Sequence, residues 1–417
     1  MIDFNLPDNI AQQVAMAQMA AEHIMRPKSR YYDEHEHEIP WDFIYAMWPM
    51  MAEQGRKDLE ALKKPKDSGE NGKPKRAKTT NMRLIHIIEA LSWGDAGIYL
   101  NLPSGQLAAA AIQAAGTREQ QQRFLPRFAG DKPTWGGMCM TEPQCGSDTS
   151  AIRTTAKRED GHWIINGTKI YVTSGSRALR DSNGLVVVWA TIDPTAGRAG
   201  MRPFVVEAGT PGVSIIKLEN KMGIRASDTA MIVFEDVKVP LDNILGKPDV
   251  ERTSQDEGFK GAMKTFDATR PAVAASALGI ARAAIEYVKE VLKKEENIDI
   301  RYHLARHKLT AAERDVIDME AMHKAAWLLT QKAAWLMDQG LPNTLEASEC
   351  KVKAGEAVTK ITQKAVEILG PLGYSRDYLV EKWMRDAKIN DIFEGTGQIN
   401  RLVIARRILG YTSKELR

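Results

Sequence analysis

Between two long stretches of helical apolar spacing lies a block of another kind. From about residue 134 to residue 245 the chain is built from short β-branched runs: Leu185 to Ile192, Phe204 to Glu207, Val213 to Leu218 and Met231 to Pro240. Such runs, bounded by turn residues, read as strands. Trp163 to Val172 carries Asn166-Gly167 between strand-like arms, which predicts a hairpin turn at that pair. The block therefore folds as a sheet or barrel, and the helical segments must dock on it.

Those segments are legible on both sides. Residues 8–26 place Ile10, Val14, Met16, Met19, Ala20 and Ile24 near helical spacing, and Pro40-Trp41 opens a second helix with proline at its first turn. Helices resume at about 81–94 and 104–115. Gly116 ends the latter, and Thr117-Arg118-Glu119-Gln120 has capping-box spacing for the next. After Gly258, Ala-rich stretches at 272–293, 311–339 and 345–369 have helix-forming composition and apolar stripes, which favours an antiparallel bundle. The chain's 417 residues are too many for one core, so two or three domains are expected, and the change of pattern along the chain divides it into three. They are an N-terminal helical domain (1–133), a middle β domain (134–250) and a C-terminal helical bundle (251–417).

Charge and cysteine usage narrow the function classes. A net charge of +3 gives no case for a nucleic-acid or anionic-membrane partner. Cys139, Cys145 and Cys350 form neither a metal spacing nor a disulfide framework, which fits a reducing cytoplasm. The start Met-Ile-Asp-Phe lacks the basic and apolar regions of a signal peptide, and no apolar stretch approaches membrane-spanning length. No G-x-G-x-x-G follows a strand and no P-loop is present, so a Rossmann cofactor site is not indicated.

Three segments carry chemistry. Met384 to Gln398 sets one carboxylate, Glu394, between Ile392-Phe393 and Gly395-Thr396-Gly397. A carboxylate in apolar surroundings is hard to ionise, so its pKa rises and it suits a general base near neutral pH. The second segment is Met138-Cys139-Met140-Thr141-Glu142-Pro143-Gln144-Cys145-Gly146-Ser147-Asp148, and the third is Asp267-Ala268-Thr269-Arg270. In sequence, order and spacing these resemble the acyl-CoA dehydrogenase family, and the resemblance runs over nearly the whole chain.

The resemblance implies a helical N-terminal domain, a β-barrel-like middle domain and a C-terminal four-helix bundle, an α+β multidomain fold. It implies FAD-dependent oxidation of an acyl-CoA thioester to the trans-2-enoyl-CoA. That reaction needs a base for the α-proton, an acceptor for the β-hydride and donors at the thioester oxygen. No standard side chain accepts hydride, so a redox cofactor must. By resemblance Glu394 is the base, and its backbone N–H joins the flavin ribityl 2′-hydroxyl at the thioester oxygen. Some family members carry the glutamate just before the residue that is Arg270 here; this chain has Thr269 there.

The same resemblance assigns the remaining site residues. Met138, Cys139, Met140 and Thr141 form the flavin-contacting loop. Tyr171-Val172-Thr173 stands where the family has Trp-Ile-Thr, with Thr141 and Thr173 bonding the flavin ring. Thr396, Gly397 and Gln398 reach the FAD adenosine. Ser147 contacts flavin or pantetheine, and Asp267, Arg270 and Gly395 lie on the substrate side. An electron-transfer flavoprotein is the implied acceptor and a homotetramer the implied assembly. Tyr99 and Asn101, within Gly97 to Gln106, are expected to line the acyl pocket, and the lack of arginine there disfavours a dicarboxylic acyl group.

Some features depart from the pattern. Gln144 and Cys145 replace two small residues, with Cys145 read as a packing residue. Glu367 stands where the family has a glutamine near a pyrophosphate. The run 293–314 lacks the family's Arg-x-x-Phe-Gly and leaves Arg301 or Arg306 as substitutes. His35-Glu36-His37-Glu38 reads as a solvated loop rather than a metal site. The basic stretch 63–78 is either a solubilising insertion or an entrance lid. Two rival functions stand beside the main reading: a same-fold oxidase, monooxygenase or desulfinase, and a flavoprotein that binds nucleic acid through the basic stretch.

Overall fold

The computed structural model describes residues 6–63, 79–250, 257–411 and 415. The basic stretch at 64–78 lies outside the described residues.

Six α-helices among the described residues precede the sheet: α1 (Asp8–Ala20), α2 (Ser29–Glu34), α3 (Trp41–Lys63), α4 (Thr80–Tyr99), α5 (Gln106–Ala115) and α6 (Arg118–Phe124). The capping box of α6 forms as its spacing predicts. Gln120 N–H donates to the Thr117 hydroxyl at 3.3 Å, and Thr117 N–H donates to the Gln120 side chain at 3.0 Å. Helix α4 is broken at Asp95, where φ is −168° and ψ is 119°. The Asp95 carboxylate recaps the second half by accepting the Ile98 N–H at 2.8 Å.

The seven strands are β1 (Gly136–Cys139), β2 (Thr155–Glu159), β3 (His162–Thr173), β4 (Leu185–Thr191), β5 (Met201–Glu207), β6 (Val213–Leu218) and β7 (Thr229–Pro240). They form one sheet in the order β1-β4-β2-β3-β7-β6, with β5 paired to β4. One edge of β4 runs antiparallel to β5, while its other edge meets β1 in parallel and then β2 at Thr191. Every residue of β4 is buried, as its unbroken apolar run requires of a central strand.

The predicted hairpin at Asn166-Gly167 does not form. The pair sits inside the continuous strand β3 as a bulge, with the register against β7 shifting between Ile165 and Gly167. Asn166 and Asp236 pin it across the sheet through two hydrogen bonds of 3.0 and 2.8 Å. A Cβ at position 167 would collide with Thr154, which is why glycine stands there. The β2–β3 turn is instead Asp160-Gly161, with φ of +45° and +76°.

After the sheet come α7 (Glu257–Glu296), α8 (Ala311–Asp338), α9 (Thr344–Leu369), and the shorter α10 (Pro371–Tyr374), α11 (Val380–Ala387) and α12 (Gly397–Leu409). Helices α7, α8 and α9 pack on one another and α12 packs on α9, around Leu278, Val288, Met319, Val358 and Ile361. Helix α7 is apolar and long enough to cross a membrane, but 72% of its most apolar window is buried inside the protein. Helix α4 lies along α7, where Gly279 allows close approach because a Cβ would stand 2.8 Å from the Trp93 nitrogen.

Buried charge fixes α11 to the rest. Lys382 bridges Asp95 and Asp386 at 2.8 and 2.5 Å, with all three side chains at most 2% exposed. Asp386 also accepts the Ile224 N–H at 2.5 Å, and a Cβ on Gly223 would collide with the Arg385 backbone. The sheet domain is thus locked to the segment that leads into Glu394.

Candidate active site

A single helical turn, Lys388–Asp391, follows α11 and delivers the chain to Glu394. Glu394 and Gly395 are both left-handed, with φ of +56° and +89°. A glutamate in that region is uphill by roughly 1–2 kcal/mol, so its surroundings must hold it there. Asn400, fully buried on α12, donates to the carbonyls of Gly395 at 2.8 Å and Thr396 at 3.1 Å. The Thr396 hydroxyl caps α12 by accepting the Ile399 N–H at 3.3 Å, and a Cβ on Gly397 would displace the Asp391 carboxylate.

This geometry turns the Glu394 carboxylate toward α7, where the Thr269 hydroxyl donates to it at 2.9 Å. Burial pushes its pKa up, against the Thr269 hydrogen bond and the charges of Arg270 and Lys351. The apolar shell is not the one the sequence suggested. Ile392 is 50% exposed, and the half-buried Glu394 has Thr269 and Arg270 of α7 and Lys351 of α9 as its polar neighbours instead.

Arg270 is buried and bonds Asp267 at 2.9 Å and the Ser348 hydroxyl at 3.3 Å. Asp267 in turn accepts the Thr344 hydroxyl at 2.6 Å. Pro271 lies inside α7 and has no N–H to offer the carbonyl four residues back. That carbonyl belongs to Asp267, and the Asn343 side chain donates to it at 3.1 Å. The start of α9 therefore repairs the helix at the point where α7 presents Thr269 and Arg270. A Cβ on Gly395 would stand 3.8 Å from Arg270, which places this guanidinium against the loop.

A second cluster gathers at strand ends. Ile170 N–H donates to the Thr141 carbonyl at 2.9 Å and brings Met138–Thr141 beside Tyr171–Thr173. The register shifts again between Lys169 and Val172, Tyr171 takes φ of +58°, and its ring is 60% exposed. Thr141 and Thr173 are half-buried at its side. Beneath, Lys169 donates to the Met140 carbonyl at 3.0 Å and to Glu142 at 2.8 Å. Glu142 also accepts from Thr154 N–H, the Thr154 hydroxyl and Arg153 N–H at 2.9, 2.6 and 2.7 Å. Burial pushes the Glu142 carboxyl up, but Lys169 and these donors outweigh it and hold the group at about 2.

An exposed aromatic face flanked by two threonines suits a flat heteroaromatic ring with polar edges, so these residues fit a flavin. The fit is by backbone at two positions. Cys139 and Val172 point into the sheet core, and burial raises the Cys139 thiol to about 12. Ser147 and Gln398 are exposed.

Other sequence-predicted residues are engaged elsewhere. Asn101 is buried and donates to the Gly97 and Ala226 carbonyls at 3.0 and 2.8 Å, a structural post rather than a pocket wall. Arg301 forks onto Glu313 at 2.7 and 2.6 Å, and Arg306 onto Asp318 at 2.8 and 2.6 Å. Glu367 is exposed and paired with Lys364 at 2.7 Å. Cys145 is buried in a small apolar cluster with Trp189 and Met201, as expected of a packing residue. The His35 ring stacks on Tyr31 at 4.1 Å. Sequence reasoning assigned no role to Lys169, Lys351, Ser348 or the Thr269 hydroxyl. Lys351 was detectable in principle, as a lysine in the apolar stripe of α9.

Three family models match in chain order: the acyl-CoA dehydrogenase N-terminal domain over residues 8–132, the middle domain over 137–237 and the C-terminal domain over 256–409. The chain is 38% identical over 327 residues to a short-chain specific acyl-CoA dehydrogenase of Clostridium acetobutylicum, covering 78% of this chain and 81% of the relative. It is 40% identical over 306 residues to an acryloyl-CoA reductase (NADH) of Anaerotignum propionicum, covering 73% of each. The solved butyryl-CoA dehydrogenase of Megasphaera elsdenii superposes with a TM-score of 0.82 at 32% identity, over 98% of this chain and 100% of that one. This protein belongs to the acyl-CoA dehydrogenase family, and it is an oxidoreductase of that family's three-domain fold.

Proposed function

We propose that this protein is an FAD-dependent acyl-CoA dehydrogenase acting on short-chain acyl-CoA thioesters. The observation that carries the reading is the carboxylate of Glu394, held on a left-handed loop, hydrogen-bonded by Thr269 and flanked by Arg270. Short chains are favoured by the names of the relatives.

Glu394 takes the α-proton. Its raised pKa brings its proton affinity closer to that of an activated thioester α-carbon, while Thr269 and Arg270 keep it ionisable. Its own backbone N–H is a donor for the thioester oxygen as charge develops there. Bound FAD supplies the hydride acceptor. Met138 to Thr141, Tyr171 to Thr173 and Thr396 to Gln398 would hold it, with the Glu142–Lys169 pair fixing the first of these segments. Ser147 and Gly395 face the substrate. Asp267 is engaged by Arg270 and Thr344, and Arg270 bonds Asp267 and Ser348 through one guanidinium nitrogen, so the pair sets α7 and the local charge.

The family resemblance supports an electron-transfer flavoprotein as acceptor and a cytoplasmic homotetramer. Exposed apolar residues on the bundle, among them Trp335, Leu402, Ile408 and Leu409, support packing against further copies. Anaerobic titration of the purified protein with butyryl-CoA tests the reading by loss of oxidised-flavin absorbance. A colourless protein that takes up no FAD would overturn it, and rapid reoxidation by O₂ would favour an oxidase instead.

A further inference from the structure

In its N-terminal half, helix α9 turns Ser348 and Lys351 onto its buried face. Ser348 receives Arg270, so that part of the face lies under the active site. Lys351 is 1% exposed, and its amine has no hydrogen-bond partner among the described residues. The charged groups facing it are Asp391 from the turn before the Glu394 loop, Glu394 itself, and Arg270 from α7. Helix and turn are in tight contact: a Cβ on Gly355 would stand 2.9 Å from the Asn390 carbonyl.

A buried ammonium without a partner is unfavourable unless nearby charge compensates it. Burial lowers Lys351 to about 8, with Asp391 and Glu394 opposing. Its charge is therefore present at neutral pH and lost just above it. The two acids and two bases form one group. When Glu394 is ionised, Lys351 and Arg270 together face Glu394 and Asp391; when Glu394 holds a proton, one negative charge is gone. Coupling of this kind is reciprocal.

We propose that Lys351 is a positioning residue for Glu394: its buried amine sets the charge balance beneath the loop and keeps the base ionised. The inference rests on the reading of Glu394 as the base. Lys351 exchanges no proton with the substrate and acts only through Glu394.

Infrared difference spectroscopy can titrate the Glu394 carboxylate in wild type and in Lys351→Met, with Glu394→Gln as the blank. Glu394 is expected to titrate at higher pH in Lys351→Met. The acid limb of kcat/KM moves the same way, lowering the rate at its acid end by roughly three- to tenfold. A second arm does not require Lys351→Met to fold. Lys351, observed by NMR with ¹³C-labelled lysine, should titrate at lower pH in Glu394→Gln than in wild type. An unmoved midpoint in either arm overturns the proposal. Neither titration needs turnover, so failure to oxidise acyl-CoA would count against the proposed reaction and leave the coupling measured.

Discussion

Two glutamates, Glu142 and Glu394, each lie near a buried lysine, and the two sites behave in opposite ways. Glu142 and Lys169 meet directly at 2.8 Å, and Thr154, Arg153 and the Met140 carbonyl bond to the pair. Glu394 and Lys351 interact only through space: the carboxylate has Thr269, and the amine has no hydrogen bond among the described residues. The first carboxyl is held well below its ordinary value, while the second is raised above it. A saturated pair rigidifies the strand end it sits under. An under-satisfied one keeps a carboxylate near the point of accepting a proton.

Substitutions should expose that difference. The largest effect is expected at Glu394→Gln, which leaves shape but removes the base: kcat falls by about 10²–10⁴-fold, measured as the rate of flavin reduction. The same variant gains thermal stability near neutral pH. The folded-state pKa of Glu394 lies above its ordinary 4.5, so its contribution to stability is complete below 4.5 and is lost as pH rises through the folded value. The gain in Tm over wild type should therefore vanish in acid.

Lys169→Met comes next and acts the other way. It strands a buried carboxylate and costs about 3–5 kcal/mol in urea unfolding. In wild type the Glu142 pKa is depressed, so the stability it contributes is present above 4.5 and is lost as pH falls toward about 2. A Lys169→Met variant as stable as wild type would erase the contrast. The smallest change is expected at Thr269→Val. Loss of one hydrogen bond to the charged carboxylate, worth about 1.5 kcal/mol, lowers kcat/KM about tenfold on the acid side and little at high pH.

Much of the fold was legible because its signals are local. The capping box at Thr117, the apolar run of β4 and the Ala-rich helices need no distant partner to be read. The Asn166-Gly167 bulge needed one: only Thr154 and Asp236, packed across the sheet, decide that the pair continues a strand rather than reversing it. The site divides the same way. Glu394, Thr141 and Arg270 sit in recognisable strings. Lys351, Ser348 and Asn343 reach the site from α9 or its approach, more than 40 residues from Glu394 in the chain, and apart from the lysine in an apolar stripe no local pattern announces them. Asn101 is read differently in the structure because its side-chain NH2 group is engaged by two backbone carbonyls, one local and one distant, which its position beside the expected pocket did not reveal.

Proton removal can be isolated from hydride transfer with a 3-thia-acyl-CoA, which has an acidic α-proton but no β-hydride to give. Wild-type protein in D₂O should exchange that α-proton rapidly, with an acid limb set by Glu394, and Glu394→Gln should bind the thioester and leave the proton in place. Exchange by Glu394→Gln at the wild-type rate would mean that another group is the base.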